Sequence, residues 1–190
     1  MNLPNRLTIL RLVLTLPFVA ALSLQFPRAK LLALILFITS SGTDYADGYI
    51  ARKYHLITDF GKLMDPLVDK IMTMSAFICL VSLGSVPAWA VIVIVSREFL
   101  ITGLRLVAAA RGKVLHAERL GKLKTVSQIV TILYCLAVMA GISESRTLVN
   151  PATVAWLNMI GSILVLLTVA LTLWSGVSYF AKNWHLVGEM

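Results

Sequence analysis

Six long apolar stretches divide this chain, and they constrain its fold more than any other feature of the sequence. Turn-forming or charged segments separate them, such as Gln25-Phe26-Pro27-Arg28 and Gly84-Ser85-Val86-Pro87. Each stretch is long enough to cross about 30 Å of hydrocarbon as an α-helix that rises about 1.5 Å per residue. The stretches cover approximately residues 7–24, 29–52, 62–83, 87–110, 121–141 and 151–180.

The composition favours a membrane protein over a soluble domain. Of the 190 residues, 58% are apolar and only 14% are charged, whereas a soluble domain is about half apolar and about a quarter charged. The apolar stretches do not alternate in polarity as the strands of a membrane barrel must. The sequence therefore predicts an all-α, polytopic membrane protein, with one domain of six transmembrane helices over residues 1–190.

The basic residues predict the orientation of these helices. Six crossings place both ends of the chain on one side, where twelve of the 17 Lys and Arg residues fall. Three fall near the other side, namely Arg28, Lys30 and Arg146. Because loops rich in Lys and Arg stay in the cytoplasm, we expect a multi-pass protein of the plasma (inner) membrane with its basic face in the cytoplasm.

Four aspartates lie in or beside the apolar stretches. Asp44 and Asp47 come late in the second stretch, and Asp65 and Asp69 come early in the third. Their spacings of three and four residues place each pair on one helix face. A charge at the centre of a bilayer costs about 2.5–3.5 kcal/mol, so these residues need a polar cavity or a partner. The simplest partners are the nearby cations Arg52, Lys53, Lys62 and Lys70.

A second interpretation of the four aspartates is a metal site. The second and third helices are joined by a short loop, so they can run antiparallel and bring all four carboxylates together near the cytoplasmic surface. Four carboxylates repel one another, and hard divalent cations, which prefer oxygen ligands, would balance their charge. The sequence therefore predicts a polar cavity that opens to the cytoplasm and can hold two divalent ions.

The acidic positions also form part of a longer pattern. It reads Asp44-x2-Asp47-Gly48-x2-Ala51-Arg52-x8-Gly61-x3-Asp65-x3-Asp69 over 26 residues. This pattern resembles the signature of the CDP-alcohol phosphotransferases, with all eight fixed positions present at the spacing of that family. The resemblance implies transfer of a phosphatidyl or similar group from a CDP-linked donor to an alcohol, with release of CMP.

The resemblance also implies roles for individual residues. Asp44, Asp47, Asp65 and Asp69 would hold two ions, Mg²⁺ or Mn²⁺, and Asp69 would also be the general base toward the acceptor hydroxyl. The positions expected near the nucleotide and the CDP-lipid are Asn5, Thr8, Asp47, Gly48, Ala51, Arg52 and Gly61. For Asn5 and Thr8, helix capping and anchoring at the membrane surface are equally good explanations.

A second basic cluster indicates an anionic acceptor. Arg97 and Arg105 are eight residues apart, so they share one face of the fourth helix at a separation of about 12 Å. Arg111 follows in the loop, and Lys122 and Lys124 open the fifth stretch. Together they could clamp a phosphate ester. Cytoplasmic charge and lipid headgroup binding offer another explanation, although not for Arg97, which lies deep in its helix.

Three further segments narrow the resemblance. SREFLITGLR (residues 96–105), LGKLKTVSQ (residues 120–128) and the N-terminal NLPNRLT are similar to bacterial phosphatidylglycerophosphate synthases. That resemblance implies CDP-diacylglycerol and sn-glycerol 3-phosphate as substrates, a membrane-lipid environment, a homodimer and no nucleic-acid partner. The same family with inositol phosphate, serine or phosphatidylglycerol as acceptor is the alternative. A divalent-cation transporter is a third hypothesis, weakened because no acidic residue lines the outer half of the predicted spans.

Overall fold

The computed structural model describes the backbone of residues 3–24, 26–53, 59–110, 119–144 and 150–188. For some helical residues only the backbone is described and the side chain is not, namely 3–6, 44–53, 59–63, 65, 66, 69, 110, 119 and 185–188. The described part of the chain is all-helical and contains no strand, as predicted. Its six helices are α1 (Leu3–Ser23), α2 (Ala29–Lys53), α3 (Asp59–Ser82), α4 (Ala88–Ala110), α5 (Arg119–Glu144) and α6 (Pro151–Gly188).

The helices coincide with the six apolar stretches, and the largest extensions are at the start of α1 and the end of α6. α1 begins at Leu3. Pro4 is compatible with this position because backbone amides in the first turn have no partner within the helix, so the missing N–H of proline breaks no hydrogen bond. α6 continues to Gly188 through a bend at Asn183 (φ −112°, ψ 16°). The side-chain amide of Asn183 donates to the carbonyl oxygen of Tyr179 at 2.7 Å. This side-chain hydrogen bond lies at the bend, and α6 continues beyond the limit that hydropathy predicted.

A short glycine turn joins α3 to α4. Gly84 has a φ of +71°, a left-handed conformation that a residue without Cβ adopts at little cost. Its amide donates to the carbonyl of Val81 at 3.0 Å, and the amide of Ser85 donates to the carbonyl of Leu80 at 2.9 Å. These bonds satisfy carbonyls at the end of α3 and reverse the chain.

Two side-chain contacts show how the helices are oriented. The hydroxyl of Ser85, in the α3–α4 turn, donates to the sulfur of Met139, late in α5, at 3.4 Å. Arg28, in the α1–α2 turn, lies 3.6 Å from the carboxylate of Glu144 at the end of α5. Both turns and the end of α5 thus share one end of the bundle. The last turns of α2 and α4 and the first turns of α3 and α5 share the opposite end, which we call the site end.

Aromatic and aliphatic side chains fill the centre of the bundle. The rings of Phe18 in α1 and Phe37 in α2 pack with their centroids 5.9 Å apart. Other fully buried side chains come from α3, α4 and α5, and include Phe77, Ile94 and Leu136. Large apolar side chains also cover the outside of the bundle, including Leu16, Trp174 and Val177. A bundle that is apolar outside as well as inside fits a lipid environment.

Polar groups fix α6 against α5. The hydroxyl oxygens of Thr131 and Thr168 lie 2.8 Å apart, and Thr168 also donates to the carbonyl of Ser127 at 3.2 Å. Further along, the hydroxyl of Tyr134 donates to the carbonyl of Leu157 at 2.9 Å. Such interhelical hydrogen bonds are typical of membrane helices. Because lipid tails are as apolar as the helices, apolar contact alone does not determine which helices pack together.

Two described helices are long and apolar enough to cross a membrane. They cover Leu120–Glu144 and Pro151–Trp184, and shorter apolar helices cover Leu7–Ser23, Ala29–Thr43 and Lys70–Ser82. α4 carries Arg97, Glu98 and Arg105 in its interior, which lowers its hydropathy. The all-α architecture is therefore confirmed, while the six crossings and the single domain over residues 1–190 stay predictions.

Candidate functional site

A cavity of about 600 Å³ lies among α3, α4, α5 and α6 toward the site end. Its described lining carries five basic side chains and one carboxylate, a formal charge of +4. A cavity with this charge attracts anions, and phosphate in particular accepts charge-assisted hydrogen bonds from Lys and Arg. We call it the basic cavity, and its charged residues are Lys70, Arg97, Glu98, Arg105, Lys122 and Lys124.

Helical periodicity brings these residues to the cavity. Glu98, Thr102 and Arg105 follow one another at spacings of four and three residues along α4, so they line one face. Ser175 and Tyr179 line the opposite wall, four residues apart on α6. The cavity therefore forms where the polar face of α4 meets α5 and α6.

Glu98 organises the basic side chains around it. The ammonium group of Lys124 donates to Glu98 Oε1, and Arg97 Nη1 lies 3.3 Å from the same oxygen. The Lys124 side chain is only 3% exposed and that of Glu98 13%. A buried charge is tolerated when an opposite charge and hydrogen bonds compensate it. Glu98 therefore holds Lys124 in the cavity wall and leaves the cavity with a net positive charge.

A second polar link joins α3 to α4. The ammonium group of Lys70 donates to the hydroxyl of Thr102, and that hydroxyl donates to the carbonyl of Glu98 at 2.7 Å. Lys70 immediately follows the predicted base Asp69 in the sequence. This bond therefore ties the α3 segment that bears Asp69 to the wall of the basic cavity.

α6 shapes the position of two arginines. Arg105 Nε donates to the hydroxyl of Tyr179 at 3.1 Å, and its guanidinium carbon lies 5.4 Å from the centroid of the same ring, a favourable cation–π distance. A Cβ at Gly176 would lie 3.2 Å from Cγ of Arg97, so glycine leaves room for that side chain. The α6 wall thus orients Arg105 and accommodates Arg97.

We expect Tyr179→Phe to weaken the binding of an anion in the basic cavity by about two- to tenfold, the usual net value of one hydrogen bond. The ring and its cation–π contact remain, while Arg105 Nε loses its acceptor. Calorimetric titration of the detergent-solubilised protein with inorganic phosphate measures the change. Tyr134→Phe is the matched control, because its hydroxyl bonds to Leu157 away from this cavity. Equal affinities for Tyr179→Phe and wild type would contradict the positioning role.

A second, smaller cavity lies among α1, α2, α3 and α5. Arg11 of α1 and Ser40 of α2 line this small cavity of about 80 Å³ together with Thr73 of α3. In the sequence, Asp44 follows Ser40 by four residues and Asp69 precedes Thr73 by four. Arg11 is almost fully buried there.

The structure brings together some of the predicted site residues. Four of the five residues expected to bind the acceptor, Arg97, Arg105, Lys122 and Lys124, line the basic cavity, and Arg111 lies outside the described residues. Thr8 is buried in α1. Among the described side chains no group of three or more His, Cys, Asp or Glu residues occurs. The remaining predicted positions have side chains outside the description, namely Asn5, Asp44, Asp47, Gly48, Ala51, Arg52, Gly61, Asp65 and Asp69.

Sequence reasoning did not assign several residues of the basic cavity to the acceptor site, among them Lys70, Glu98, Ser175 and Tyr179. Lys70 was considered only as a possible partner of the aspartates. The depth of Lys70 in an apolar helix is a usable signal, because intramembrane charges are usually functional. Ser175 and Tyr179 carry no comparable signal, since only the packing of α6 against α4 places them beside Arg105.

Known proteins are similar to this chain over most of its length. The model of the CDP-alcohol phosphatidyltransferase family matches residues 1–174. The CDP-diacylglycerol–glycerol-3-phosphate 3-phosphatidyltransferase of Bacillus subtilis (strain 168) is 41% identical, over 97% of this chain and 96% of its own. The protein of the same name from Rickettsia bellii is 34% identical, over 94% and 93%. A probable phosphatidylglycerophosphate synthase of Mycobacterium tuberculosis is 37% identical, over 98% and 84%.

Proposed function

The chain belongs to the CDP-alcohol phosphatidyltransferase family, and on that premise we propose that it transfers the phosphatidyl group of CDP-diacylglycerol to sn-glycerol 3-phosphate. The products are phosphatidylglycerophosphate and CMP. The observation that carries this choice of acceptor is the basic cavity with its formal charge of +4. Such a cavity suits a phosphate ester better than serine, which has no net charge. The names of the relatives favour glycerol 3-phosphate over inositol phosphate.

The reaction exchanges one phosphorus–oxygen bond for another. A hydroxyl oxygen of glycerol 3-phosphate attacks the donor phosphorus that bears the diacylglycerol. The bond from this phosphorus to the bridging oxygen of the diphosphate breaks, and CMP leaves with that oxygen. The hydroxyl proton passes to a base, so the transfer needs neither an oxidant nor a covalent enzyme intermediate.

Asp69 is the proposed base for this proton. It lies in α3 directly before Lys70, whose side chain lines the basic cavity. A base must come within hydrogen-bond reach of the hydroxyl that it deprotonates. An acceptor held by the basic cavity would lie beside the α3 segment that carries Asp69.

Asp44, Asp47, Asp65 and Asp69 are the proposed ligands of two divalent ions, Mg²⁺ or Mn²⁺. Carboxylate oxygens are the ligands that such hard cations prefer. Asp44 and Asp69 are each four residues along the sequence from a residue that lines the small cavity, Ser40 and Thr73, and this spacing supports the assignment. Bound there, the ions would neutralise the donor diphosphate and polarise its phosphorus. The donor nucleotide is assigned to the neighbouring positions Asn5, Thr8, Asp47, Gly48, Ala51, Arg52 and Gly61.

The acceptor phosphate is assigned to Arg97, Arg105, Lys122 and Lys124, and we add Lys70 because it lines the same cavity. Arg111 stays a prediction in this set. Two or more of these side chains can donate to one phosphate at once, which fixes the position of the phosphate and increases its affinity for the cavity. Their role is to hold the acceptor so that its hydroxyl faces the donor phosphorus.

A membrane setting follows from the donor, because a diacylglycerol chain cannot leave the bilayer. We propose six crossings, with the site end at the cytoplasmic side of the inner membrane. The two helices long enough to span and the concentration of basic residues at the site end support this orientation. An apolar groove of about 520 Å³ between α1 and α3 offers space for lipid chains. A homodimer is proposed from the resemblance alone.

The test is a release assay for CMP. Purified protein in detergent receives CDP-diacylglycerol, Mg²⁺ and one candidate alcohol at a time. We expect CMP release with sn-glycerol 3-phosphate and loss of that release when EDTA removes the metal. Release with inositol phosphate or serine instead would overturn the choice of acceptor. Absence of release with every alcohol, together with cation uptake by proteoliposomes, would favour a transporter.

A further inference from the structure

We propose that Gln128 recognises the central hydroxyl of the glycerol 3-phosphate acceptor, in a chamber that adjoins the basic cavity. This inference rests on the proposed function and extends it to the polyol part of the substrate. The basic cavity accounts for the phosphate of the acceptor. The chamber would receive its carbon chain and so decide which phosphate ester reacts.

The chamber lies directly beside the basic cavity. It measures about 210 Å³ and is lined by residues of α3, α4 and α5. Four residues line both spaces, so one ligand can occupy the two together: Lys70, Glu98, Lys124 and Thr125. At about 30 Å³ per water, the chamber holds roughly seven waters, which leaves space for a three-carbon polyol.

Gln128 carries a hydrogen-bond donor that has no acceptor in the described part of the chain. Its side chain lines the chamber and the residue is only 4% exposed. Its amide nitrogen Nε2 is buried and makes no hydrogen bond there. Met74, Phe77 and Ile94, which line the same chamber, cannot accept one well. Because an unpaired buried donor is costly, Gln128 is suited to a ligand that brings an acceptor oxygen.

The spacing of Lys124 and Gln128 along α5 matches the distance between the phosphate and a hydroxyl of the acceptor. Gln128 follows Lys124 by four residues, so it lies one turn, about 5.4 Å, further from the site end on the same face. That distance is comparable to the length of a three-carbon phosphate ester. A phosphate near Lys124 would thus bring a hydroxyl within reach of Gln128.

The α3 wall of the chamber connects it to the proposed base. Thr73 lines the chamber and follows Asp69 by four residues, on the same face of α3. A glycerol chain in this chamber would have its terminal hydroxyl near the α3 face that carries Asp69. Its central hydroxyl would then be free to accept a hydrogen bond from Gln128.

The test compares two acceptors that differ only in the central hydroxyl. These are sn-glycerol 3-phosphate and 3-hydroxypropyl phosphate, and kcat/KM is measured for each by CMP release. We expect the wild type to prefer glycerol 3-phosphate. Gln128→Met, which keeps the chain length but removes the amide, should lower kcat/KM for glycerol 3-phosphate by about ten- to a hundredfold. The value for 3-hydroxypropyl phosphate should change by less than about threefold.

Two other variants serve as a control for Gln128→Met and as a substitute for it. Thr131→Val removes a hydroxyl three residues further along α5 that bonds to Thr168, so the preference between the two acceptors should persist. If Gln128→Met does not fold, Gln128→Leu also removes the amide group while it fills much of the same space. The same loss of preference is expected from it.

The outcomes separate the two proposals. An equal loss with both acceptors in Gln128→Met would mean a packing role, and an unchanged preference would mean no contact; either result overturns this inference alone. A wild type that releases no CMP with glycerol 3-phosphate overturns the proposed function and this inference with it.

Discussion

Asp69→Asn is expected to lower kcat for phosphatidyl transfer by about 10²- to 10⁴-fold, the usual contribution of a general base. The amide keeps the shape of the carboxylate and one oxygen toward a metal ion, but it does not accept the proton of the acceptor hydroxyl. Affinity for CDP-diacylglycerol should stay close to that of the wild type. The measurements are CMP release at saturating glycerol 3-phosphate and Mg²⁺, and calorimetric titration with the CDP-lipid.

Asp44→Asn provides the matched comparison for Asp69→Asn. Asp44 is proposed as a metal ligand without a role in proton transfer, so a higher Mg²⁺ concentration should recover part of its lost activity. Asp69 is proposed as both ligand and base, so the same increase should still leave the kcat of Asp69→Asn at least about 10²-fold below that of the wild type. If Asp69→Asn retains near-normal turnover, or reaches it at high Mg²⁺, Asp69 is not the base.

The second large effect is expected from Glu98→Gln, which should lower the free energy of unfolding by about 3–5 kcal/mol. Glu98 carries the carboxylate to which the buried ammonium group of Lys124 donates, and Arg97 lies beside the same oxygen. Neutralising it leaves like charges in a cavity without their counter-ion. Denaturant unfolding in detergent, followed by circular dichroism, measures the change. Added glycerol 3-phosphate should restore part of the stability, because an anion bound to the folded state supplies negative charge.

Two controls test whether the buried charge causes this loss of stability. Glu144→Gln removes a carboxylate near Arg28, where the two side chains are 39% and 78% exposed, so we expect a change below about 1 kcal/mol. The double variant Glu98→Gln/Lys124→Met should be more stable than Glu98→Gln alone, since it removes the unpaired charge. A loss in Glu98→Gln no greater than that in Glu144→Gln would show that the Glu98–Lys124 pair is not essential to the fold.

Hydropathy predicted the helical architecture well because each helix is a continuous apolar segment bounded by turn or charged residues. The glycine turn after α3 and the proline that opens α6 could both be read from the sequence. The helix ends could not, because α6 continues past its apolar stretch through polar residues such as Asn183, whose side chain bonds to the backbone of Tyr179. Whether all six helices cross the bilayer stays a prediction.

The candidate site, too, could be predicted only in part from the sequence. Arg97 and Arg105 could be placed on one face of α4 because helical spacing is local. Which helices enclose that face depends on long-range packing, and so Tyr179 and Gly176 of α6 could not be assigned to it. Gln128 was also missed, because a buried glutamine becomes informative only when its amide is seen to lack a partner.

The sequence by itself determined the helix count, the acidic signature and its family, since periodicity and spacing are properties of neighbouring residues. The tertiary structure alone decided that Lys70, Glu98 and Lys124 meet, and that a chamber with Gln128 adjoins them. Burial and charge compensation depend on which helices touch. The deep cations of α3, α4 and α5 looked independent along the chain, and packing brings them into one cavity lining. There Arg97 and Lys124 pair with Glu98, while Lys70 bonds to Thr102.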